Sequence, residues 1–295
     1  MRKLLNNLYI TSPNVYLSKD GENIVARTDE GESFRVPIHN IENIICFNHT
    51  GASPALMGHC AKSGIGLSFL TPNGRFLARI SGPVSGNVLL RRTQYRWADD
   101  LQQSQTLASQ FILGKVVNSR VVLQRAIREY QDVKGFSEVK KVSDDLRKSY
   151  GSIVNAESLE TLRGIEGKNA QIYFSVFDCL IRNQKADFYF SERNRRPPMD
   201  RVNSLLSLVY SLLRHEVQSA LESVGLDPAV GFLHRDRPGR PSLALDIMEE
   251  LRPVLADRLV LSLINRKQVK PQGFHIKENG SVLLELETRK EILIA

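Results

Sequence analysis

Cysteine is scarce in this sequence and irregularly spaced. The 295 residues include three cysteines, and no two of them form a CxxC pair. An odd count with this spacing argues against a disulfide framework or a zinc knuckle, and it favours a reducing compartment. The three positions are Cys46, Cys60 and Cys179.

Long apolar runs and several common catalytic motifs are also missing. No run reaches the roughly 18 apolar residues of a membrane span, and the N-terminal MRKLLNNLYIT lacks the apolar core of a signal peptide. A P-loop, a GxGxxG fingerprint and a GxSxG serine motif are absent as well. We therefore expect a soluble cytoplasmic protein that belongs to none of these three motif classes.

The composition is that of a folded, basic protein. Hydrophobic residues make up 42% of the chain and charged residues 24%, a balance typical of soluble globular proteins. A length of 295 residues favours two domains. Lys and Arg outnumber Asp and Glu by 40 to 32, and the formal charge of +8 favours polyanionic partners such as nucleic acid.

Short apolar runs separated by turn dipeptides fill residues 1–85. Asn73-Gly74, between LSFL and RFLARI, predicts a hairpin because both residues tolerate the positive φ of a type I′ turn. The segment SPALMGHCAKSG predicts a short helix that ends at Gly64. We predict a small, mostly antiparallel β domain over 1–85. Two weaker turn dipeptides are Asp20-Gly21 and Glu30-Gly31.

After the break SGPVSGN at 81–87, residues 86–295 show mainly helical spacing. Prolines interrupt it in NRRPP, 194–198, and in HRDRPGRP, 234–241. Asn279-Gly280 predicts a short hairpin near 272–285, followed by a charged helix. The predicted fold class is α+β, with a small β domain followed by a larger all-α domain. Because the chain ends on an apolar run, we expect the natural sequence to continue beyond Ala295.

One acidic residue, Glu166, falls on an apolar helical stripe. A carboxylate is costly to bury there unless it is paired, protonated or bound to a cation. Gly164 and Gly167 flank it, although each glycine costs a helix about 1 kcal/mol, which suggests that something approaches the backbone closely. A salt bridge to an arginine, or a local break that turns Glu166 outwards, would explain the pattern equally well. The other members of the stripe are Leu159, Leu162, Ala170, Tyr173, Phe177 and Leu180.

Three more acids lie on a helix that is predicted from Leu243 onwards. Asp246, Glu249 and Glu250 group opposite its apolar face. Taken alone, this pattern is typical of a solvated acidic face, supported by an i, i+3 pair between Glu249 and Arg252. The apolar face is formed by Ala244, Ile247, Met248, Leu251 and Leu255.

The combination of these acids with one histidine favours a metal site. A basic loop puts His234 within reach of the N-terminal turn of the acidic helix, and one imidazole with two or three carboxylates suits Mn(II) or Mg(II). Helix geometry alone does not distinguish Glu249 from Glu250. Four other histidines are interpreted as packing or surface residues: His39, His49, His59 and His215.

Two arginine-rich loops border the acidic positions. Arginine makes planar, multi-donor contacts with phosphate, so the loops suit phosphodiester chemistry. The alternative is that the arginines cap helices or offset Asp200 and Asp236. The first loop carries Arg193, Arg195, Arg196 and Arg201, and the second carries Arg235, Arg237 and Arg240.

Three ordered blocks resemble one protein family. They are LRGIEGKNAQIYF at 162–174, RRPPMDRVNSLLSLVYSLL at 195–213 and GLDPAVGFLHRDRPGRPSLALDIMEELRPVLADR at 225–258. The family is the CRISPR-associated integrase and endonuclease of spacer acquisition, CRISPR-associated protein one. The segments LYITSPNVYLSKDG and SGPVSGNVLLRRTQYR are similar to the type I-C subtype, so the resemblance covers most of the chain.

The resemblance implies an architecture and a set of site residues. The domain 1–85 would form a homodimer, and 86–295 would be the helical catalytic domain. Glu166, His234 and Glu249 match the family's metal ligands, which separates Glu249 from Glu250, and Asp246 matches a supporting acid. The ion would be Mn(II) or Mg(II).

The implied activity is the joining of short DNA fragments to a CRISPR repeat array by attack of a 3′-hydroxyl on a phosphodiester. Arginines of the two loops would hold the DNA backbones: Arg195, Arg196, Arg235, Arg237 and Arg240. The implied partners are DNA duplexes with 3′-hydroxyl ends, repeat DNA, a second copy of the chain, the small CRISPR-associated subunit of the adaptation complex and an accessory exonuclease. The residues alone do not separate integration from metal-dependent hydrolysis of other DNA or RNA, or from a non-catalytic DNA-binding scaffold.

Overall fold

The chain divides into two compact units, Met1–Ser85 and Gly86–Leu293. The computed structural model describes residues 7–48, 50–72, 74, 76–82, 87–129 and 135–294. The described part of the first unit is rich in strands and that of the second is mainly helical, which confirms the predicted α+β class. Within these ranges, no helix is long and apolar enough to span a membrane.

Strands and one helix form the first unit. Ser53 caps the helix by accepting a hydrogen bond from Leu56 N, and Gly64 ends it with φ +68°, as predicted. The elements are β1 (Asn7–Ile10), β2 (Tyr16–Asp20), β3 (Asn23–Thr28), β4 (Gly31–Pro37), β5 (Asn43–Phe47), β6 (Gly51–Ala52), α1 (Pro54–Ser63), β7 (Gly66–Leu70) and β8 (Phe76–Ile80).

The strands form two four-stranded sheets, in the orders β1-β5-β7-β8 and β4-β3-β2-β6. The hairpins β2–β3 and β3–β4 are antiparallel, and their turns contain Gly21 and Gly31 at positive φ, as predicted. Strands β7 and β8 also pair antiparallel, while Asn73 of their predicted turn lies outside the described residues.

The expectation of a mostly antiparallel domain needs correction. Among the described strands, β1–β5, β5–β7 and β2–β6 pair in parallel. Parallel neighbours need a crossover connection, and α1 provides one between β5 and β7. Turn dipeptides reveal hairpins but carry no information on such crossovers, which is why the sequence pattern missed them.

Helices dominate the second unit. Its long α3 packs against α4, α5 and α7, so the consecutive helices α4 and α5 and the distant α7 meet along one helix. The elements are α2 (Val88–Asp99), α3 (Leu101–Glu129), α4 (Phe136–Val154), α5 (Leu159–Ser175), α6 (Arg201–Ser223), α7 (Ser242–Leu251), α8 (Arg258–Asn265), β9 (Phe274–Ile276), β10 (Val282–Leu284) and α9 (Leu286–Ile294). The antiparallel pair β9–β10 is the predicted hairpin.

Helix α5 is shorter than its apolar stripe suggested. Ser158 caps its start by accepting a hydrogen bond from Thr161 N at 3.1 Å. The helix ends at Ser175, and a 3₁₀ turn, Phe177–Leu180, follows. Phe177 and Leu180 are therefore buried by the turn and not by the helical stripe on which they were predicted.

A π-helical segment, Arg252–Asp257, connects α7 to α8 without a break. Pro253 lacks an N–H, and in a regular α-helix its ring would clash with the carbonyl of Glu249, which accounts for the change of pitch. Ala244 and Met248 are buried as predicted. Leu255 is 53% exposed, so its assignment to the core face was wrong, because the π-helical turn changes the helical register.

Candidate functional site

The acids of α7 do not form a solvated face. Asp246 is fully buried and Glu249 is 3% exposed, whereas Glu250 is half-buried. The amphipathic pattern was misleading because the side of α7 opposite its apolar face is covered by the loop before the helix and by α3. Burial of two carboxylates on one helix requires partners for both.

Asp246 holds the His234 loop. Its Oδ2 accepts hydrogen bonds from the backbone N–H groups of Phe232 at 2.6 Å and Leu233 at 3.0 Å. Its Oδ1 accepts the N–H of His234 at 3.0 Å and the imidazole Nδ1–H at 2.6 Å. Both oxygens are therefore fully engaged, and the histidine is oriented so that its Nε2 remains available for another ligand.

Gly231 allows this close approach of loop and helix. A Cβ at this position would lie 2.7 Å from Asp246 Oδ2 and 2.8 Å from Ser242 Cβ. The glycine of the GFLH segment is thus required by packing against the first turn of α7.

A lysine bridges the two glutamates. Lys115, from α3, contacts Glu166 Oε1 of α5, and its Nζ lies 2.7 Å from Glu249 Oε2 of α7. The Glu166 side chain is 27% exposed, which means that it is partly paired and partly open to solvent. The salt bridge considered from the sequence as an alternative for Glu166 is therefore present, with a lysine and not with an arginine.

The pairing around Glu249 has a strong electrostatic effect. Arg252 Nη1 donates to Glu249 Oε1 at 2.6 Å, which is the predicted i, i+3 pair. Burial raises the pKa of Glu249, but the charges of Lys115 and Arg252 outweigh burial and hold the pKa at about 2. Burial lowers the pKa of Lys115, and the two glutamates more than reverse this effect. Glu249, Lys115 and Arg252 are therefore charged at neutral pH.

One oxygen of this cluster lacks a hydrogen bond. Glu249 Oε2 is buried and, among the described residues, its close polar contact is the ion pair with Lys115 Nζ at 2.7 Å, with no backbone N–H or hydroxyl donor beside it. A buried, charged acceptor of this kind is costly unless a cation contacts it directly.

Glu166, His234 and Glu249 line one pocket of about 300 Å³. Thus the structure brings the three predicted ligands to a common cavity, on α5, on the loop before α7 and on α7. Within the described residues, no group of three or more His, Cys, Asp or Glu side chains is already spaced for metal coordination. Lys115 instead contacts the two carboxylates.

The predicted arginines surround this region. Arg235, Arg237 and Arg240 line the same pocket as the three ligands. Exposed Arg195 and Arg196 line a neighbouring cavity of about 490 Å³, together with Lys115 and Glu166. The structure therefore places arginines of both loops in cavities that the acids also line.

Some of these arginines also have structural partners. Glu160 accepts hydrogen bonds from Arg163 at 2.9 Å and from Arg235 at 2.8 Å, and Arg163 Nε donates to the Leu233 carbonyl at 2.8 Å. These contacts tie the His234 loop to α5. Arg193 donates to Asn203 Oδ1 at 2.6 Å and thereby anchors the first arginine loop to α6.

A buried carboxylate and two tyrosines lie beside the larger cavity. Asp257 accepts hydrogen bonds from Tyr210 at 2.5 Å and from Tyr173 at 3.2 Å. Arg193 and Arg252 each lie 5.2 Å from the Tyr210 ring centroid in cation–π contacts. Burial raises the pKa of Asp257 to about 6, although the two tyrosine hydroxyls lower it.

Sequence reasoning missed Lys115, although a signal was available. Four residues of α3 have buried side chains at helical spacing: Ala108, Ile112, Ser119 and Val122. Lys115 fills the gap between Ile112 and Ser119, so the five residues follow one another at intervals of 4, 3, 4 and 3. It is therefore a charged residue on a core stripe, the same pattern that identified Glu166. Tyr210 and Asp257 carried no comparable signal, because their contacts join segments 47 residues apart.

The flanking glycines of Glu166 are not explained by protein packing. No atom of the described residues lies within 4 Å of a Cβ built on Gly164 or Gly167. The sequence led us to expect a group close to this backbone, and none of the described residues provides one. Of the other histidines, His215 is buried and His39 is exposed, while His49 lies outside the described residues.

Comparison with known protein families gives one match over nearly the whole chain. The family described as CRISPR associated protein Cas1 matches residues 8–295. CRISPR-associated endonuclease Cas1 1 of Chlorobaculum tepidum is 49% identical over 100% of this chain and 86% of its own length. CRISPR-associated endonuclease Cas1 2 of Rhodospirillum rubrum is 50% identical with the same coverage. A CRISPR-associated exonuclease Cas4/endonuclease Cas1 fusion of Geobacter sulfurreducens is 34% identical over 97% of this chain and 51% of the fusion.

Solved structures share the fold. A CAS1 protein from Thermotoga maritima has a TM-score of 0.84 at 24% identity and covers 98% of this chain and 87% of its own. A casposase bound to integration product has a TM-score of 0.83 at 26% identity, covering 98% and 81%. A chain of a Cas6-RT-Cas1–Cas2 complex has a TM-score of 0.80 at 22% identity, covering 97% and 31%.

Proposed function

The chain belongs to the Cas1 family of CRISPR-associated endonucleases, and from this we propose that it is a metal-dependent DNA integrase. In this role it joins short DNA fragments to a CRISPR repeat by attack of a 3′-hydroxyl on a phosphodiester. The same site would hydrolyse DNA when water replaces the hydroxyl.

One observation is the main support for the proposed metal site. A single cationic atom, Lys115 Nζ, already contacts carboxylates from two helices, and a buried Glu249 oxygen there lacks a hydrogen bond. A cation therefore fits between Glu166 and Glu249. With His234 on the same pocket, the donor set of one imidazole and two carboxylates suits Mn(II) or Mg(II).

Each residue has a distinct role in this proposal. Glu166, His234 and Glu249 would hold the ion, and Asp246 would position the imidazole without binding metal, since both its oxygens are engaged. When bound, the ion would polarise a phosphoryl oxygen and stabilise the charge of the transition state. Arg195, Arg196, Arg235, Arg237 and Arg240 would hold the DNA backbones on both sides.

Partners are proposed from the relatives. The Cas1–Cas2 complex among the similar structures supports assembly with the small adaptation subunit, and the Cas4/Cas1 fusion supports an accessory exonuclease. We further propose that the chain acts as a homodimer on duplex DNA with 3′-hydroxyl ends.

Strand transfer on a labelled, branched DNA substrate with Mn(II) tests the function. Glu166→Gln and His234→Ala are each expected to reduce the rate at least about 100-fold, the scale on which loss of transition-state charge stabilisation acts. Glu250→Ala is the matched control on α7 and should retain most of the activity. Near-normal transfer by Glu166→Gln or His234→Ala would refute the assignment.

A DNA-binding scaffold is the competing function, and the ion pairs of Lys115 with both glutamates are the observation that favours it. Calorimetric titration with Mn(II) separates the two. An integrase should take up metal in a way that Glu166→Gln abolishes, whereas a scaffold should show no such uptake. RNA in place of DNA in the transfer assay distinguishes an enzyme that acts on RNA.

A further inference from the structure

Lys115 occupies the space between the two proposed metal-binding carboxylates. Its side chain is 13% exposed, so the ammonium is held in the protein and not at the surface. It touches Glu166 Oε1 and lies 2.7 Å from Glu249 Oε2, so it contacts both carboxylates that the ion would need.

The charges of the cluster are balanced in this arrangement. The two carboxylates of Glu166 and Glu249 face one ammonium, Lys115, and one guanidinium, Arg252. A divalent ion added to this set would meet two carboxylates that are already neutralised. Binding therefore requires that one resident cation give way.

Lys115 is the cation that can leave. Arg252 donates to Glu249 Oε1 with good geometry at 2.6 Å and lies on a cation–π contact with Tyr210, so it is fixed from two sides. Lys115 contacts the two carboxylates alone among these four charged groups, and it also lines a neighbouring cavity whose lining includes the carboxylate of Asp257. A flexible four-carbon side chain at the edge of that cavity has space into which it can move.

Resting on the proposed function, we infer that Lys115 is a positioning residue that serves as the resident cation of the metal-free site and exchanges with the divalent ion. It keeps Glu166 and Glu249 together until the ion arrives. The ion then takes its place, and the ammonium turns into the neighbouring cavity, where the Asp257 carboxylate lies.

The inference predicts that removal of the lysine tightens metal binding. In Lys115→Met the ion no longer competes with a resident ammonium, so the Kd for Mn(II) is expected to fall by about 5- to 150-fold, the usual range for coupling between sites. A purely structural role predicts the opposite, because carboxylates that lose their organising partner bind metal more weakly. Isothermal titration with MnCl₂ on the full chain at one fixed pH measures the Kd.

Thermal unfolding gives a second readout. Mn(II) should raise the Tm of Lys115→Met more than that of the unaltered chain, since in the variant Arg252 alone faces the two carboxylates and the ion binds more tightly. Lys115→Arg keeps a resident cation and should stay close to the unaltered chain in Kd. Lys168→Met is the matched control, because Lys168 is exposed on α5, and its Kd should not change.

The outcomes separate this inference from the proposed function. If the unaltered chain shows no Mn(II) uptake that Glu166→Gln abolishes, the proposed metal site is wrong. If it does bind, but folded Lys115→Met binds Mn(II) equally or more weakly, only the role of Lys115 is overturned. If Lys115→Met does not fold without metal, recovery of its circular dichroism by Mn(II) supports the exchange, and failure to fold even with Mn(II) overturns it.

Discussion

At the residue scale, four hydrogen bonds converge on the Asp246 carboxylate and fix the position of His234. Asp246→Asn would turn an amide group towards backbone N–H donors and leave at least one of them unpaired. We expect a loss of about 3 kcal/mol in the free energy of unfolding, because buried hydrogen bonds to a charged acceptor are the strong ones. Urea denaturation followed by circular dichroism measures this loss.

The control for Asp246 is an acid in the loop that Asp246 holds. Asp236 is exposed, so Asp236→Asn should change the free energy of unfolding by less than about 0.5 kcal/mol. Equal effects of the two substitutions would contradict the structural role given to Asp246.

Asp257 should make stability depend on pH. Burial raises its pKa in the folded chain to about 6, above the ordinary aspartate value of 3.8, so folding favours the protonated form. The stability contributed by this group is fully present below pH 4 and is lost as pH rises through 6, by up to about 3 kcal/mol. Asp257→Asn, which cannot ionise, should lack this component.

The measurement is the difference in free energy of unfolding between the unaltered chain and Asp257→Asn from pH 4 to pH 7. The advantage of the unaltered chain should shrink steadily across this interval. A constant difference would show that Asp257 has the same pKa in the folded and unfolded chains.

Single residues of the site were predictable to different degrees. Glu166 stood out because its charge contradicted its place on an apolar stripe, and Lys115 met the same criterion. The burial of Asp246 and Glu249 was not predictable from α7 alone, because it depends on α3 and on the loop around Gly231 covering that side of the helix. Long-range covering of this kind leaves no periodic trace in the sequence.

At the element scale, the glycines of α5 offer a test of DNA approach. A Cβ at Gly164 or Gly167 meets no described atom within 4 Å, so Gly→Ala should stabilise the helix by up to about 1 kcal/mol at each site. If DNA lies against this backbone, strand transfer should nevertheless fall. Urea denaturation and the transfer assay measure the two effects.

Gly151 in α4 is the matched control. It is also exposed, and a Cβ there also meets no described atom within 4 Å. Gly151→Ala should therefore give a similar gain in stability without reducing strand transfer. A reduction that is equal at all three glycines would show that DNA does not approach α5 specifically.

Helices and strands were predicted best where a capping residue or a turn glycine sets their ends. Ser53 and Gly64 bound α1, and positive-φ glycines set the hairpin turns. The end of α5 and the π-helical segment were missed, since both depend on packing of the chain that follows. The parallel strand pairs were missed because a crossover is a property of several elements together.

At the scale of the whole molecule, the charge of +8 and the exposed arginine loop predict binding that weakens with salt. Arg195→Ala or Arg196→Ala should each reduce the slope of log K against log salt concentration by about 0.9 if one phosphate contact is lost. Fluorescence anisotropy with a labelled duplex measures this slope. Arg147→Ala is the control, since Arg147 is exposed on α4 and lines neither cavity described above, and its slope should be unchanged.

The lysine between the two glutamates also bears on how the protein matures. Many metal sites organise the fold, and such proteins unfold when a chelator removes the ion. Here the acidic side chains are already neutralised by the chain's own Lys115 and Arg252, so the polypeptide can reach its final shape before any ion is acquired. Excess EDTA should consequently leave the protein folded, with one cooperative thermal transition, while abolishing strand transfer. Protein made without the ion would then be folded but inactive, and ready for loading.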